Sequence, residues 1–156
     1  MLIRVLLALH ILTIPAAVAA TEIALEDAPP EALETAIATA PGVDFLRVTV
    51  EEEGGRRVFE FEGRGPSGEH IEIDVFEDGE LDEIEMEIDA GDLPAAVRKA
   101  LDAEAPRLAI DYVETSIRKD GVFVYEIEGR LASGERVAFD IREDGEIINR
   151  ESASSS

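Results

Sequence analysis

The sequence predicts an α+β protein of two tandem repeats, each a short helix packed on a four-stranded antiparallel meander sheet. Three observations lead there. A 24-residue segment recurs without a gap, each copy is preceded by an amphipathic stretch closed by proline, and apolar alternation of period two returns between Gly-containing turns. The recurring segment runs from Val58 to Leu81 and again from Val124 to Ile147, with about half of the positions identical and most others exchanged like for like.

The helices come first in each repeat. Leu33, Ala36, Ile37 and Ala40 fall at i, i+3, i+4 and i+7, with Pro29 and Pro30 at the start and Pro41-Gly42 at the end. In the second repeat Val97, Ala100 and Leu101 renew the stripe. There Asp92 reads as the N-cap, Pro94 as a residue just inside, and Pro106 as the stop. Helices this short need a sheet to lie on.

The strands follow in the same order twice. Leu46, Val48 and Val50 lead to Gly54-Gly55, and Phe59 and Phe61 to Pro66-Ser67-Gly68. Ile71, Ile73 and Val75 lead to Asp78-Gly79, and Ile84, Met86 and Ile88 close the first unit. The second unit uses Val113, Thr115 and Ile117, then Tyr125 and Ile127, then Val137, Phe139 and Ile141, and a short last strand at Ile147-Ile148. Strand parity buries Phe61 and Ile127 and turns Glu62 and Glu128 to solvent, because a one-residue slip would bury a row of carboxylates. The two units, each near the size where burial is marginal, are expected to pack together.

The flanks are of another kind. Met1 to Ala20 has Arg4, an apolar run from Val5 to Ile14, Pro15 and a run of small residues from Ala16 to Ala20. This is the pattern of a secretory signal peptide, with a mature start at Ala20 or Thr21. The apolar run is shorter than the roughly 20 residues a spanning helix needs, so no membrane insertion is expected after cleavage. The domains expected are therefore a signal peptide over 1–20, repeats over 21–91 and 92–151, and a disordered tail over 152–156.

Composition narrows function. The 156 residues carry a net charge of −22, which disfavours nucleic acid and anionic membrane surfaces as ligands. Cysteine is absent, so the sequence holds no disulfide, thiolate metal site or catalytic thiol. The charge is uneven: residues 21–92 hold 23 acids and 4 bases, residues 93–156 only 13 acids and 9 bases.

Candidate chemistry is sparse. His70 is the one histidine after the leader and shares strand parity with Glu72 and Asp74, which reads as a surface position with neither Ser nor Cys beside it. Asp74 to Gly79 and Asp140 to Gly145 mimic the start of a calcium loop, with Glu85 and Glu151 at its twelfth position. The third position is Phe76 or Arg142, however, and strands flank both runs, so hairpin turns are the reading. No catalytic residue, cofactor or metal ligand is assigned. Partner contact is assigned to Phe76, which has polar-face parity and thus an expectation of exposure, and to the acidic row Glu83, Glu85 and Glu87, which would steer a protein partner with a basic surface.

The helix ending at proline, the four strands and the run from Tyr125 to Ile147 resemble the PepSY domain. Two such units behind a signal peptide resemble the PepSY-like proteins grouped with β-lactamase inhibitor protein. The resemblance implies a non-catalytic module outside the cytoplasm, periplasmic or secreted, that restrains or inhibits a partner envelope enzyme, a protease or other hydrolase. The alternative from charge alone is an acidic, cation-responsive or structural envelope protein.

Overall fold

The computed structural model describes residues 20–153, so the leader assigned to residues 1–20 lies, but for Ala20, outside the described residues. Among the described residues nine strands form one antiparallel sheet in sequential order: β1 (Thr21–Ile23), β2 (Asp44–Glu53), β3 (Arg56–Arg64), β4 (His70–Phe76), β5 (Leu81–Glu87), β6 (Ala109–Arg118), β7 (Phe123–Arg130), β8 (Arg136–Ile141) and β9 (Ile147–Ala153). Two helices, α1 (Pro30–Thr39) and α2 (Ala95–Glu104), pack on one side of it.

This corrects the expected architecture. Two helix-plus-four-stranded units are not what forms: β5 and β6 pair through Glu83↔Arg118, Ile84↔Ile117, Glu85↔Ser116, Met86↔Thr115 and Glu87↔Glu114, so the chain makes a single, mostly-β layer. The physical reason is the edge. Two separate sheets would leave β5 and β6 with rows of unsatisfied N–H and C=O groups, whereas pairing satisfies both and keeps the apolar parity of Ile84 and Ile117 in step. An unforeseen short strand, β1, adds at the other border by pairing with β2. At the far edge β9 runs to Ala153, which takes in residues 152 and 153 of the expected tail; residues 154–156 lie outside those described.

Both helices begin at proline without a side-chain cap. Asp92, expected as the N-cap, belongs to a single 3₁₀ turn (Ala90–Asp92), and the cap position of α2 is Pro94. Under α1 the core is Ala32 and Ala36 against Val48, Phe59, Phe61, Ile73 and Val75. Under α2 it is Val97 and Leu101 against Val113, Ile127, Val137, Phe139 and Ile141. Small helix residues thus face a sheet with two phenylalanines in one core, and larger helix residues face a mostly aliphatic sheet in the other.

The first long strand of each half bends at a bulge, at Phe45/Arg47 and at Ile110/Tyr112. Across from each bulge stands a glycine that nothing larger could replace. A Cβ on Gly63 would lie 2.6 Å from the Asp44 carbonyl oxygen, and one on Gly129 2.6 Å from that of Ala109.

Candidate functional site: the polar face of the sheet

Strand parity sends every second side chain to the face away from the helices. On β3 and β4 these are Val58, Glu60, Glu62, Glu72, Asp74 and Phe76; on β5 and β6 they are Glu83, Glu85, Glu87, Glu114, Ser116 and Arg118; on β7 and β8 they include Val124, Glu126, Glu128 and Asp140. Among the described residues no helix or strand lies over this face. Its side chains are nevertheless largely buried, because long neighbours on adjacent strands cover one another: Glu72, Asp74, Glu85, Glu114 and Asp140 are all buried.

Three clusters organise it. In the middle, the Arg118 guanidinium reaches Glu83 Oε1 at 3.2 Å, Glu126 Oε1 at 2.9 Å and Asp140 Oδ2 at 2.8 Å, so one cation ties β5, β7 and β8 to β6. Burial works against that charge, but Asp140, Glu126 and Glu83 outweigh it and hold the guanidinium protonated well above its ordinary range. Glu83 also accepts a hydrogen bond from the Ser116 hydroxyl.

At one end Glu62 accepts from Arg47 Nε at 2.8 Å and meets His70 Nε2 at 3.2 Å, and His70 Nδ1 lies 3.4 Å from the Tyr112 hydroxyl. Burial alone would raise the Glu62 carboxyl; hydrogen bonds from His70 and Arg47 reverse this and hold it below the usual carboxylate range. Tyr112 is pushed the other way, by burial and by the carboxylate of Glu114.

At the opposite end Phe76 is only 2% exposed. The Arg56 guanidinium stacks 3.6 Å from its ring centroid and the Lys119 ammonium lies 4.5 Å away, each held in turn by acids: Arg56 by Glu80 at 2.8 Å, Lys119 by Asp82 at 2.6 Å. Val58 pairs with Phe76 and is buried beside it. Glu53 reaches Asp82, and burial together with that like-charged neighbour raises its carboxyl above the ordinary value.

The sites assigned from sequence fare unevenly against this geometry. Phe76 does not offer an exposed ring, because two cations from β3 and the β6–β7 turn roof it. Glu85 is 2% exposed and Glu83 is engaged by Ser116 and Arg118, so the row Glu83, Glu85, Glu87 is not a free acidic stripe. Glu87 alone of the three is substantially exposed, with Arg64 at 3.5 Å. His70, read as a bare surface residue, sits half-buried between Glu62 and Tyr112. Asp78-Gly79 and Asp144-Gly145 are hairpin turns in which Asp78 accepts from the Glu80 N–H and Asp144 from the Glu146 N–H.

Arg118 is the residue that sequence reasoning missed; its parity with Glu114 and Ser116 was the available signal. Ligand atoms of Glu62, His70 and Glu72, of Glu60, Glu72 and Asp74, and of Glu83, Glu85 and Glu126 lie within 4.8 Å of one another in each set, the donor types of a divalent cation. Arg118 and Arg47 already bring countercharge to two of the three.

No protein-family model matches the chain, and no curated protein matches it by sequence. Solved structures do match in fold. A DUF2874 family protein from Bacteroides uniformis aligns with a TM-score of 0.66 at 16% identity, covering 80% of this chain and 89% of its own. A candidate periplasmic protein from Bacteroides eggerthii gives 0.66 at 15% identity over 80% and 88%. A BLIP-like protein from Bacteroides fragilis gives 0.64 at 15% identity over 83% and 89%. The chain thus has the fold seen in BLIP-like and DUF2874 proteins, while the PepSY resemblance stays at the level of strand and turn pattern.

Proposed function

We propose that this is an exported, non-catalytic binding module of the cell envelope that engages the basic surface of a protein partner through the polar face of its sheet. One observation carries the reading: the face that no helix of the described residues covers holds more carboxylates than cations, even with Arg47, Arg56, Arg64, Arg118, Lys119 and Arg136 among them, fixed in place by strand pairing and mutual hydrogen bonds. A rigid array in which one sign predominates, held before a partner arrives, speeds association and disfavours acidic competitors. The leader-like first twenty residues and the candidate periplasmic assignment of a structural neighbour support the location. Restraint of an envelope hydrolase is the form of binding that likeness to a BLIP-like fold favours, although a shared fold does not carry its partner with it.

The test is a comparison of faces. Tagged protein is used to capture a partner from a native envelope fraction, and the association rate of the purified pair is followed against salt. Glu87→Gln, Glu128→Gln and Glu151→Gln together should slow association several-fold and flatten its salt dependence. A charge-matched set on the helices, Glu31→Gln, Glu34→Gln and Asp102→Asn, should leave the rate near parental. Equal effects from the two sets would reduce the polar face to a device for solubility.

A further inference from the structure

The helix side of the sheet is not evenly covered. α1 lies over β3 and β4, with the Thr35 hydroxyl donating to the Gly79 carbonyl at 2.9 Å, which pins that side of the helix to the β4–β5 turn. α2 packs Val97 and Leu101 on Ile127 and Phe139 of β7 and β8, and its Ala96 carbonyl stands 2.8 Å from where a Cβ on Gly145 would be, in the β8–β9 turn. Between them the central strands show their apolar side. Ile84, Ile117 and Phe123 form one cross-strand row, and Met86, Thr115 and Tyr125 the next. Met86 is 40% exposed, Ile117 44% and Phe123 37%, and none of the three belongs to either core.

We infer that this slot receives a cationic amphipathic helix from a protein partner. The width argues for a helix. The centres of the β3–β4 and β7–β8 pairs are four strands apart, about 19 Å at ~4.8 Å per strand, and neighbouring helices pack at roughly 8–10 Å, so one further helix fits between α1 and α2. The floor agrees. Its two rows lie about 7 Å apart along the strands, close to the ~6 Å between i and i+4 side chains, so successive anchors of one helical face meet successive rows. The charge selects the partner: a chain of net −22, whose bordering helices expose Glu31, Glu34, Asp102 and Glu104 against Arg98 and Lys99, repels a second copy of itself and attracts a helix whose solvent side carries Lys and Arg. This site is on the opposite face from the carboxylate array and stands or falls apart from it.

An 18-residue peptide of Leu and Lys in amphipathic helical order is the probe, titrated into ¹⁵N-labelled protein. Backbone shifts should concentrate at Met86, Thr115, Ile117 and Phe123. Ile117→Ser with Phe123→Ser should weaken binding at least tenfold, and the same peptide with Glu for Lys should not bind. If the double variant fails to fold, Met86→Glu, at an exposed side chain, gives the same comparison. The inference is overturned if shifts fall on polar-face residues such as Glu128, if affinity is unchanged in these variants, if no binding is seen at millimolar peptide, or if sedimentation shows a dimer of the protein alone that Ile117→Ser dissolves.

Discussion

The half of the chain before α2 and the half from α2 onward build the same kind of core and carry very different charge. Residues 21–92 hold 23 acids against 4 bases, residues 93–156 hold 13 against 9, yet both place a helix over aliphatic and aromatic strand residues. The structure shows where the imbalance goes. Arg118 and Lys119, from the second half, reach across the β5–β6 pairing to Glu83 and Asp82 of the first. Backbone pairing and countercharge thus cross the same seam, and the acidic half depends on the other for charge compensation. The lesson is that similar hydrophobic cores do not make the halves independent when one lends the cations the other lacks.

The largest way to probe this comparison is in the cores themselves. Phe61→Ala should cost about 3–5 kcal/mol, because Ala32 and Ala36 above it are too small to fill the space left, whereas Ile127→Val on the other side should cost about 0.5–1.5 kcal/mol. Urea denaturation monitored by far-UV circular dichroism measures both. Because β5 and β6 share one sheet, a single transition is expected for Phe61→Ala; a second transition, with the α2 half melting at the parental midpoint, would show that the seam does not couple them.

The seam comes next. Arg118→Met removes the common partner of Glu83, Glu126 and Asp140 and should destabilise by about 2–3 kcal/mol at neutral pH. The loss should shrink in a Glu126→Gln, Asp140→Asn background, where two of the three partner charges are gone. A loss that is the same in both backgrounds would mean that packing of the arginine stem, not its charge, was what mattered.

The smallest expected effect separates two carboxyls of the polar face by sign. Glu62 is held below its ordinary value despite burial, by His70 and Arg47, so the stability it contributes is present above the unfolded carboxylate pKa and is lost as pH falls through its folded value. Glu53 is held above its ordinary value by burial and by Asp82, so its contribution is present at acid pH and is lost as pH rises through its folded value. Accordingly Glu53→Gln, at an exposed residue where solvent screens the repulsion, should stabilise the protein at pH 7 only slightly, by about 0.2–0.4 kcal/mol, and Glu62→Gln should destabilise it and flatten the fall in stability between pH 5 and pH 3. Melting temperatures of the two variants across that range check the signs.

Local order was legible in the sequence because it depends on near neighbours. The period-two alternation of Phe59, Phe61, Ile71 and Ile73 placed the strands and their buried side, and Pro29, Pro41, Pro94 and Pro106 bracketed both helices within a residue or two. The candidate site was legible only as parity. That Glu83, Glu85 and Phe76 share the polar face could be counted off, but that the first two are buried and the third is capped by Arg56 and Lys119 could not. Burial on an uncovered face depends on which strands stand alongside, and Lys119 is 43 positions from Phe76 along the chain.

By itself, then, the sequence determined the alternation of helix and meander, most of the inward set of apolar residues (Leu46, Met86 and Ile117 stay exposed) and the acidic imbalance, since each follows from residue type and spacing of a few positions. Tertiary structure decided that β5 pairs with β6, that one sheet of nine strands replaces two of four, and that Arg118 gathers acids from three strands. Either choice of pairing satisfies the local pattern equally. Only the joining of two otherwise open edges, with the cations of one half set against the acids of the other, makes the single sheet the lower in free energy.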